Sequence, residues 1–266
     1  MAVRRRRRDE AAVRSFAAAV GLFSVLPVRG LDDVDRGHAR GAMLAFPWLG
    51  ALLGAIAGAV GGVAAWQQLP LLGPVLALAT LAALTGALHL DGVADTADGL
   101  GSRKPAAEAL SIMRRSDIGP MGVVTLVFVL GIQAMALASV PGPAWVPFAA
   151  LTAAAMVSRL TVTVATVGNR FARDSGFGAL FRAVTPRAGA IVDALLVAGA
   201  LAGLGLLAAG PRGALVFAVA AAVAALVAWG WGAHLLRRLG GWTGDTFGSL
   251  IEITATVFLV GVAFGL

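Results

Sequence analysis

Three aspartates stand at a spacing that suits the binding of a metal ion. Asp91, Asp95 and Asp98 occupy positions i, i+4 and i+7 in the run His-Leu-Asp-Gly-Val-Ala-Asp-Thr-Ala-Asp. On an α-helix this spacing places the three carboxylates on one face, with neighbouring Cβ atoms about 5–6 Å apart. Such carboxylates repel one another, and no lysine or arginine lies between them. The acidic cluster therefore predicts a divalent cation with oxygen ligands, Mg²⁺ or, as a second candidate, Mn²⁺.

Basic residues follow the acidic cluster in the same polar segment. Arg103, Arg114 and Arg115 carry guanidinium groups, which bind phosphate oxygens through paired hydrogen bonds. Asp117 comes next and is a candidate for a fourth metal ligand or for the general base, and Asp98 is a second candidate for a catalytic carboxylate. Carboxylates for a metal beside arginines for phosphate are typical of phosphoryl transfer. The alternative interpretation is an acidic helix end in water, followed by arginines that serve only membrane topology.

Two further basic residues are candidates for phosphate binding. Arg159 lies inside an apolar stretch, where a charged side chain requires an anionic partner. Arg173 belongs to a later loop that is rich in glycine and arginine.

A glycine-rich turn near the end of the chain is a third candidate segment. Thr243 and Asp245 lie in the run Gly-Gly-Trp-Thr-Gly-Asp-Thr-Phe-Gly, which suits a phosphate, a ribose or a base, and Glu252 shares a helix face with Asp245 if a helix begins there. An ordinary turn with Asp245 or Thr246 as the helix cap explains the same pattern.

The composition indicates what kind of protein positions these candidate residues. The chain has 266 residues, of which 59% are hydrophobic and 13% are charged, whereas soluble domains are about 45–50% apolar and about 25% charged. A soluble globule of this composition would expose large apolar patches, so we predict an integral membrane protein. The absence of cysteine excludes disulfides and thiolate metal sites, and the three histidines are too far apart for a zinc motif.

Seven apolar stretches are each long enough to cross about 30 Å of hydrocarbon. The sequence therefore predicts an all-α, polytopic integral membrane helical bundle with about seven transmembrane helices. We expect a single transmembrane catalytic domain over residues 42–266, preceded by an N-terminal basic segment and a short interfacial helix within residues 1–41. Small residues at four-residue spacing, Gly54 with Gly58 and Gly199 with Gly203, predict close helix packing. The stretches run from Ala42 to Trp66, Leu69 to Leu90, Pro120 to Ser139, Ala144 to Val167, Ala188 to Ala209, Ala214 to Leu236 and Phe247 to Leu266.

The charged residues indicate how the bundle is oriented. The net charge is +7, but five of the 21 basic residues form the run Arg4–Arg8 and most others flank apolar stretches, so we expect a lipid bilayer and no nucleic acid as partner. The connections at 67–68, 140–143 and 210–213 carry one charge among them, Arg212. By the positive-inside rule, the N-terminus and the remaining, charged connections lie in the cytoplasm.

Several motifs together resemble the cobalamin synthase family, the adenosylcobinamide-GDP ribazoletransferases. They are Ala-Phe-Pro-Trp-Leu-Gly at 45–50, Leu-His-Leu-Asp-Gly-Val-Ala-Asp-Thr-Ala-Asp-Gly-Leu-Gly at 88–101, Ile-Met-Arg-Arg-Ser-Asp-Ile-Gly-Pro-Met-Gly at 112–122, and Gly-Trp-Thr-Gly-Asp-Thr-Phe-Gly at 241–248 followed by Glu252. The resemblance covers essentially the whole chain.

The resemblance implies a Mg²⁺-dependent enzyme of the bacterial inner membrane in vitamin B12 biosynthesis. Such an enzyme joins adenosylcobinamide-GDP to α-ribazole, or to its 5′-phosphate, and releases GMP. Under this interpretation Asp91, Asp95 and Asp98 hold the metal that bridges the pyrophosphate, and the arginines steady the phosphates. Other enzymes of the same pathway are candidate partners.

Two other functions fit parts of the pattern. CDP-alcohol phosphatidyltransferases also place aspartates and glycines at helix spacing, but their Asp-x2-Asp-Gly-x2-Ala-Arg order differs from Asp-Gly-x2-Asp-x2-Asp-Gly in this chain. A cation-coupled transporter would also carry acids near a membrane, but its usual inverted repeat is not evident in the sequence.

Overall fold

The computed structural model describes residues 2–29, 34–67, 69, 71–168, 170–172 and 177–266. Within these ranges the chain is built from α-helices with one short 3-10 turn at Phe177–Phe181, which confirms the predicted all-α fold. The helices are α1 (Ala2–Phe23), α2 (Arg36–Trp66), α3 (Leu72–Leu84), α4 (Leu88–Gly101), α5 (Ala106–Ile112), α6 (Pro120–Ser139), α7 (Trp145–Ala165), α8 (Arg187–Leu239) and α9 (Gly244–Gly265).

The long helices account for the predicted membrane spans. In the described part of the chain, five helices (α2, α6, α7, α8 and α9) are long and apolar enough to cross a membrane, and the bent pair of α3 and α4 gives a sixth candidate. Helix α8 contains a break, because Ala209 and Gly210 have non-helical backbone angles and the φ of +62° at Gly210 favours glycine. A Cβ atom on Gly205 would lie 2.5 Å from the carbonyl oxygen of Gly213, so the chain reverses direction there. Residues 187–208 and 211–239 therefore form a helical hairpin, and each predicted apolar stretch has a helical segment.

The second predicted stretch, Leu69 to Leu90, is not one straight helix. Helix α3 ends at Leu84, and α4 then leaves at an angle of 91°. The bend arises at Gly86 and Ala87, whose φ angles of 59° and 57° are both left-handed. Alanine rarely adopts this conformation, so nothing at Ala87 indicated a bend. The acidic cluster lies on α4: the spacing of its aspartates predicted a helix, but not that this helix would be separate from the one before it.

The N-terminal helix packs into the bundle. Ala18 and Ala19 are fully buried, and the ring centroid of Phe23 lies 4.3 Å from that of Phe46 on α2. The following helix, α2, begins at Arg36 and is capped by the Asp35 carboxylate, which accepts a hydrogen bond from the amide of His38. Interfacial placement of α1 and a domain boundary at residue 42 stay predictions.

The glycines of α2 confirm one of the two predicted packing faces. A Cβ atom on Gly54 would lie 2.8 Å from Thr152, and one on Gly58 would lie 2.9 Å from Phe148, so α2 and α7 approach closely. The prediction for Gly199 and Gly203 was wrong, because no atom of another helix lies within 4 Å of either added Cβ. These two glycines face outward from the hairpin, where no helix covers them in the described structure.

The charged connections meet at one end of the bundle, here called the charged end. The Arg36 guanidinium donates a hydrogen bond to the carbonyl of Arg182, and that of Arg238 donates one to the carbonyl of Lys104. Trp242, between α8 and α9, forms two backbone hydrogen bonds with residues 170–172, at 2.9 and 3.0 Å. At the other end of the hairpin, Arg212 donates to the carbonyls of the last two residues. The alternation of charged and uncharged connections is therefore visible in the fold.

Candidate active site

A cavity of about 270 Å³ opens near the charged end. Most of its wall is apolar, and much of that wall is aromatic. Its polar side chains are His89 and Asp91 from α4, and Thr243 and Asp245 from the start of α9. Its apolar side chains include Phe23, Met43, Phe46, Leu88, Val162, Ala179, Phe181, Trp242, Phe247 and Ile251. The cavity thus joins two of the predicted site segments, the acidic cluster and the glycine-rich turn.

Two glycines bring these segments together. A Cβ atom on Gly92 would lie 2.5 Å from the carbonyl oxygen of Asp245, and one on Gly248 would lie 2.8 Å from that of His89. Helices α4 and α9 are therefore in backbone contact, which no larger residue at either position would permit. This contact places Asp91 and Asp245 on the wall of one cavity.

The glycine-rich turn is the N-terminus of α9. Thr243 is the cap: its hydroxyl accepts a hydrogen bond from the amide of Thr246, and the Thr246 hydroxyl accepts one from the amide of Thr243. The expectation that Asp245 or Thr246 caps this helix was wrong. Because α9 begins at Gly244, Asp245 lies in its first turn and Glu252 lies seven residues further along the same helix.

The three aspartates of the acidic cluster have different surroundings. Asp91 is exposed and lines the cavity, and Asp95 is half-buried one turn later. Asp98 accepts hydrogen bonds from the amides of Gly119 and Gly122, at 2.7 and 2.9 Å, at the N-terminus of α6. Among the described residues, no group of three or more His, Cys, Asp or Glu side chains is placed to hold a metal ion. The cluster therefore does not form a three-ligand site by itself.

Asp98 links α4 to the start of α6 through hydrogen bonds. Each of its oxygens accepts from a different backbone amide, and a Cβ atom on Gly122 would lie 2.6 Å from one of them. The carboxylate also faces the positive end of the α6 helix dipole. The two glycines leave the space that this carboxylate occupies.

Replacing Asp98 by asparagine is expected to destabilise the protein by about 1–3 kcal/mol, because an asparagine offers only one oxygen and leaves one amide unpaired. Thermal unfolding in detergent measures the effect. Asp117→Asn is the matched control, since Asp117 is an exposed aspartate just before the same helix. An unchanged melting temperature for Asp98→Asn would contradict the anchoring role.

A buried polar network lies next to the cavity. Arg159 on α7 is only 2% exposed; its guanidinium donates to the carbonyl of Ala155 at 3.1 Å and lies 5.7 Å from the centre of the Phe46 ring. The carboxylate of Glu252 on α9 interacts electrostatically with this guanidinium, although the two groups do not form an ion pair within 4 Å. Gln133 on α6 donates to Glu252 at 2.9 Å. Arg159 and Glu252 are thus neighbours in a network that joins three helices, and neither lines the cavity.

The same network includes His89. The Arg159 guanidinium also lies 3.5 Å from Nδ1 of His89, and because arginine only donates, this nitrogen is an acceptor. A neutral ring then carries its proton on Nε2. That nitrogen is buried and has no hydrogen-bond partner within the described residues.

The remaining predicted residues lie outside the cavity wall. Arg103, Arg114, Arg115 and Asp117 are exposed in the segment between α4 and α6 at the charged end. Arg173 falls outside the described residues. Phosphate binding by these arginines stays a prediction.

Sequence reasoning missed several parts of the site. Gln133 had a signal, as the only strongly polar side chain within α6. Gly119 and Gly122 also had one, because glycines three apart at a helix start permit a close approach. The aromatic wall had none, since its rings come from residues scattered between 23 and 247.

Comparison with known proteins identifies the family. The family model described as cobalamin-5-phosphate synthase matches residues 15–263. The chain belongs to this family. The match to the cobalamin-5-phosphate synthase model includes every residue of the cavity, the acidic cluster and the buried network.

Individual cobalamin-5-phosphate synthase relatives agree over nearly their whole length. An adenosylcobinamide-GDP ribazoletransferase of Klebsiella pneumoniae is 37% identical over 254 residues, covering 94% of this chain and 99% of its own. One of Frankia casuarinae is 38% identical over 92% of each chain. One of Escherichia coli is 35% identical, over 93% of this chain and 98% of its own. No solved structure matches the chain.

Proposed function

We propose that this protein joins adenosylcobinamide-GDP to α-ribazole, or to its 5′-phosphate, and releases GMP. The product is adenosylcobalamin or its phosphate, late in vitamin B12 biosynthesis. The observation that carries the proposal is the meeting of Asp91 and Asp245 on one largely apolar cavity near the charged end. The relatives named for this reaction, which match nearly the whole chain, support it.

The carboxylates suit a Mg²⁺ ion that is shared with substrate. Mg²⁺ in phosphoryl-transfer sites usually takes one or two protein carboxylates and completes its shell with phosphate oxygens and water. Asp91 and Asp95 on α4 offer that number of carboxylates, and Asp245 on α9 lies on the same cavity wall as Asp91. When bound there, Mg²⁺ would neutralise charge on the pyrophosphate.

The protein groups around the cavity account for the remaining steps. A ribose hydroxyl forms a new bond to the phosphorus on the cobinamide side, the pyrophosphate bond breaks, and GMP leaves with the bonding electrons. The hydroxyl proton passes to a carboxylate. We favour Asp245 as this base, because it lies at the cavity, whereas Asp117 is exposed at the surface. Arg103, Arg114 and Arg115 stabilise the departing phosphate from the charged end.

The same proposal sets the orientation. The protein spans the bacterial inner membrane with its charged end on the cytoplasmic side, because the basic residues gather at that end and both substrates are water-soluble. Substrate then binds from the cytoplasmic side, where it contacts Asp91, the turn at Thr243 and the exposed arginines.

The experiment supplies purified protein in lipid nanodiscs with both substrates, with and without Mg²⁺. We expect one GMP for each cobalamin formed, and neither product when Mg²⁺ is removed by a chelator. CDP-diacylglycerol offered in place of adenosylcobinamide-GDP should release no CMP. Absence of GMP with both substrates and Mg²⁺ present would overturn the proposal.

A further inference from the structure

A long apolar crevice lies between the two arms of the α8 hairpin, residues 187–208 and 211–239. We propose that this crevice binds one anionic phospholipid from the leaflet at the charged end, with an acyl chain between the arms and the headgroup on nearby arginines. The crevice has no part in the proposed reaction. Among the described residues it shares only Trp242 with the cavity of the candidate active site.

The two arms diverge because they pack on different helices. At the turn they are in backbone contact through Gly205 and Gly213. Towards the charged end the first arm lies against α2, where a Cβ atom on Gly189 would be 2.7 Å from Leu44. The second arm lies against α9, and the rings of Phe217 and Phe258 meet there at 5.6 Å between centroids. The space between the arms, with α7 behind it, is the crevice.

The lining of the crevice suits hydrocarbon. No charged side chain lines it within the described structure, and Thr161 carries its only hydroxyl group. Polar molecules would lose hydrogen bonds on entering such a space, whereas an acyl chain has none to lose. Small side chains face the crevice from both arms and leave room for a chain: Ala194 and Ala198 from the first, and Ala222, Ala225 and Ala233 from the second.

The crevice is too narrow for a further helix. It extends about 22 Å along the second arm, from Ala221 to Leu236 at 1.5 Å per residue. Even with its opening to the lipid included, its empty space is about 1190 Å³, which gives a mean cross-section of about 50 Å² over that length. An α-helix with its side chains is about 10–12 Å wide and needs roughly 80–110 Å². A single acyl chain is thinner and fits.

The charge at the mouth of the crevice favours an anionic headgroup. Arg187 begins the first arm on the same helix face as Ala194, and Arg237 follows Ala233 by one turn on the second arm. Both arginines are exposed at the charged end. Arg170 is exposed at the same end, and its carbonyl accepts a hydrogen bond from the connection between α8 and α9. Guanidinium groups bind phosphate oxygens, and basic pockets between transmembrane helices bind anionic headgroups.

The first experiment measures which lipid stays bound. Wild-type protein in nanodiscs with equal parts of phosphatidylglycerol and phosphatidylcholine is released into mild detergent and weighed by native mass spectrometry. We expect one phosphatidylglycerol on each protein, retained at least tenfold more often than phosphatidylcholine. Equal retention of the two lipids would overturn the proposal.

A variant that fills the crevice tests where the acyl chain lies. Ala225 is exposed in the crevice, so Ala225→Phe should lower the retained phosphatidylglycerol at least tenfold. Val223→Phe is the matched control, because it adds the same ring two residues earlier at an exposed position outside the lining, and it should retain lipid as wild type does. Wild-type retention by Ala225→Phe would place the lipid elsewhere and overturn the proposal.

A charge variant tests the headgroup site separately. Arg187→Gln combined with Arg237→Gln should retain phosphatidylglycerol no better than phosphatidylcholine. Both side chains are exposed, so this variant decides the matter if Ala225→Phe fails to fold. Arg212→Gln, at the other end of the hairpin, should keep the wild-type preference. An unchanged preference in the double variant contradicts the headgroup site.

The same spectra report whether a second copy of the chain covers the crevice instead. A wild-type dimer that Ala225→Phe abolishes would assign the crevice to that copy and overturn the proposal. None of these measurements requires substrate. The inference therefore fails or holds independently of whether the protein releases GMP.

Discussion

Asparagine in place of Asp91 is expected to lower turnover about a thousandfold without affecting folding. The side chain is exposed at the cavity, so its replacement leaves packing unchanged. It removes a charged oxygen where a metal would meet the pyrophosphate, and such charge stabilisation contributes several kcal/mol, or about three orders of magnitude in rate. Asp95→Asn, one turn along α4, is expected to have the same effect. The rate of GMP release from nanodisc-embedded protein measures both.

The control for this experiment is another acid of the charged end. Glu108 on α5 is exposed and forms an ion pair with Lys104 at 3.1 Å, away from the cavity. Glu108→Gln should release GMP at the wild-type rate. Undiminished turnover in both Asp91→Asn and Asp95→Asn would rule out these carboxylates as the metal-binding pair.

The second large effect is expected from Arg159→Met, which should destabilise the protein by about 3–5 kcal/mol. Methionine nearly keeps the length of this buried side chain but removes its hydrogen bond to the carbonyl of Ala155 and the positive charge that acts electrostatically on Glu252. The variant also takes away the donor to Nδ1 of His89. Unfolding by denaturing detergent, followed by tryptophan fluorescence, measures the loss.

A double variant separates the charge pair from simple loss of packing. Glu252→Gln keeps an oxygen for the hydrogen bond from Gln133 but removes the negative charge. The combination of Arg159→Met with Glu252→Gln should therefore be more stable than Arg159→Met alone. If the two changes merely add, the electrostatic link between α7 and α9 does not stabilise the fold.

Local patterns of the sequence predicted the helices but not their directions. The i, i+4, i+7 spacing placed Asp91, Asp95 and Asp98 on a helix, and α4 has that helix. It did not show that Asp98 would turn to Gly119 and Gly122, because those amides come after a connecting segment whose path depends on tertiary packing. For the same reason, nothing in the sequence indicated the left-handed φ angle at Ala87 or the 91° bend between α3 and α4 that accompanies it.

The sequence predicted those parts of the candidate site in which one residue type requires a particular kind of neighbour. A buried arginine requires an anion nearby, and Glu252 is a carboxylate that interacts electrostatically with Arg159. The glycine-rich turn indicated a helix start, but the choice of Thr243 as its cap depended on the reciprocal bond with Thr246. The aromatic cavity forms where five helices and a 3-10 turn meet, and no single segment of the sequence predicts that they meet.

The bend between α3 and α4 has a consequence for biogenesis. With 13 residues, α3 is about 20 Å long, which is too short for the hydrocarbon layer, and the helix after it carries three acids. The two helices pass as a membrane span only when taken together, so we expect a translocon to integrate them as one bent unit. Because α4 is held by hydrogen bonds to the start of α6 and by backbone contact with α9, we expect its carboxylates to reach their final position only after the last helix has been made.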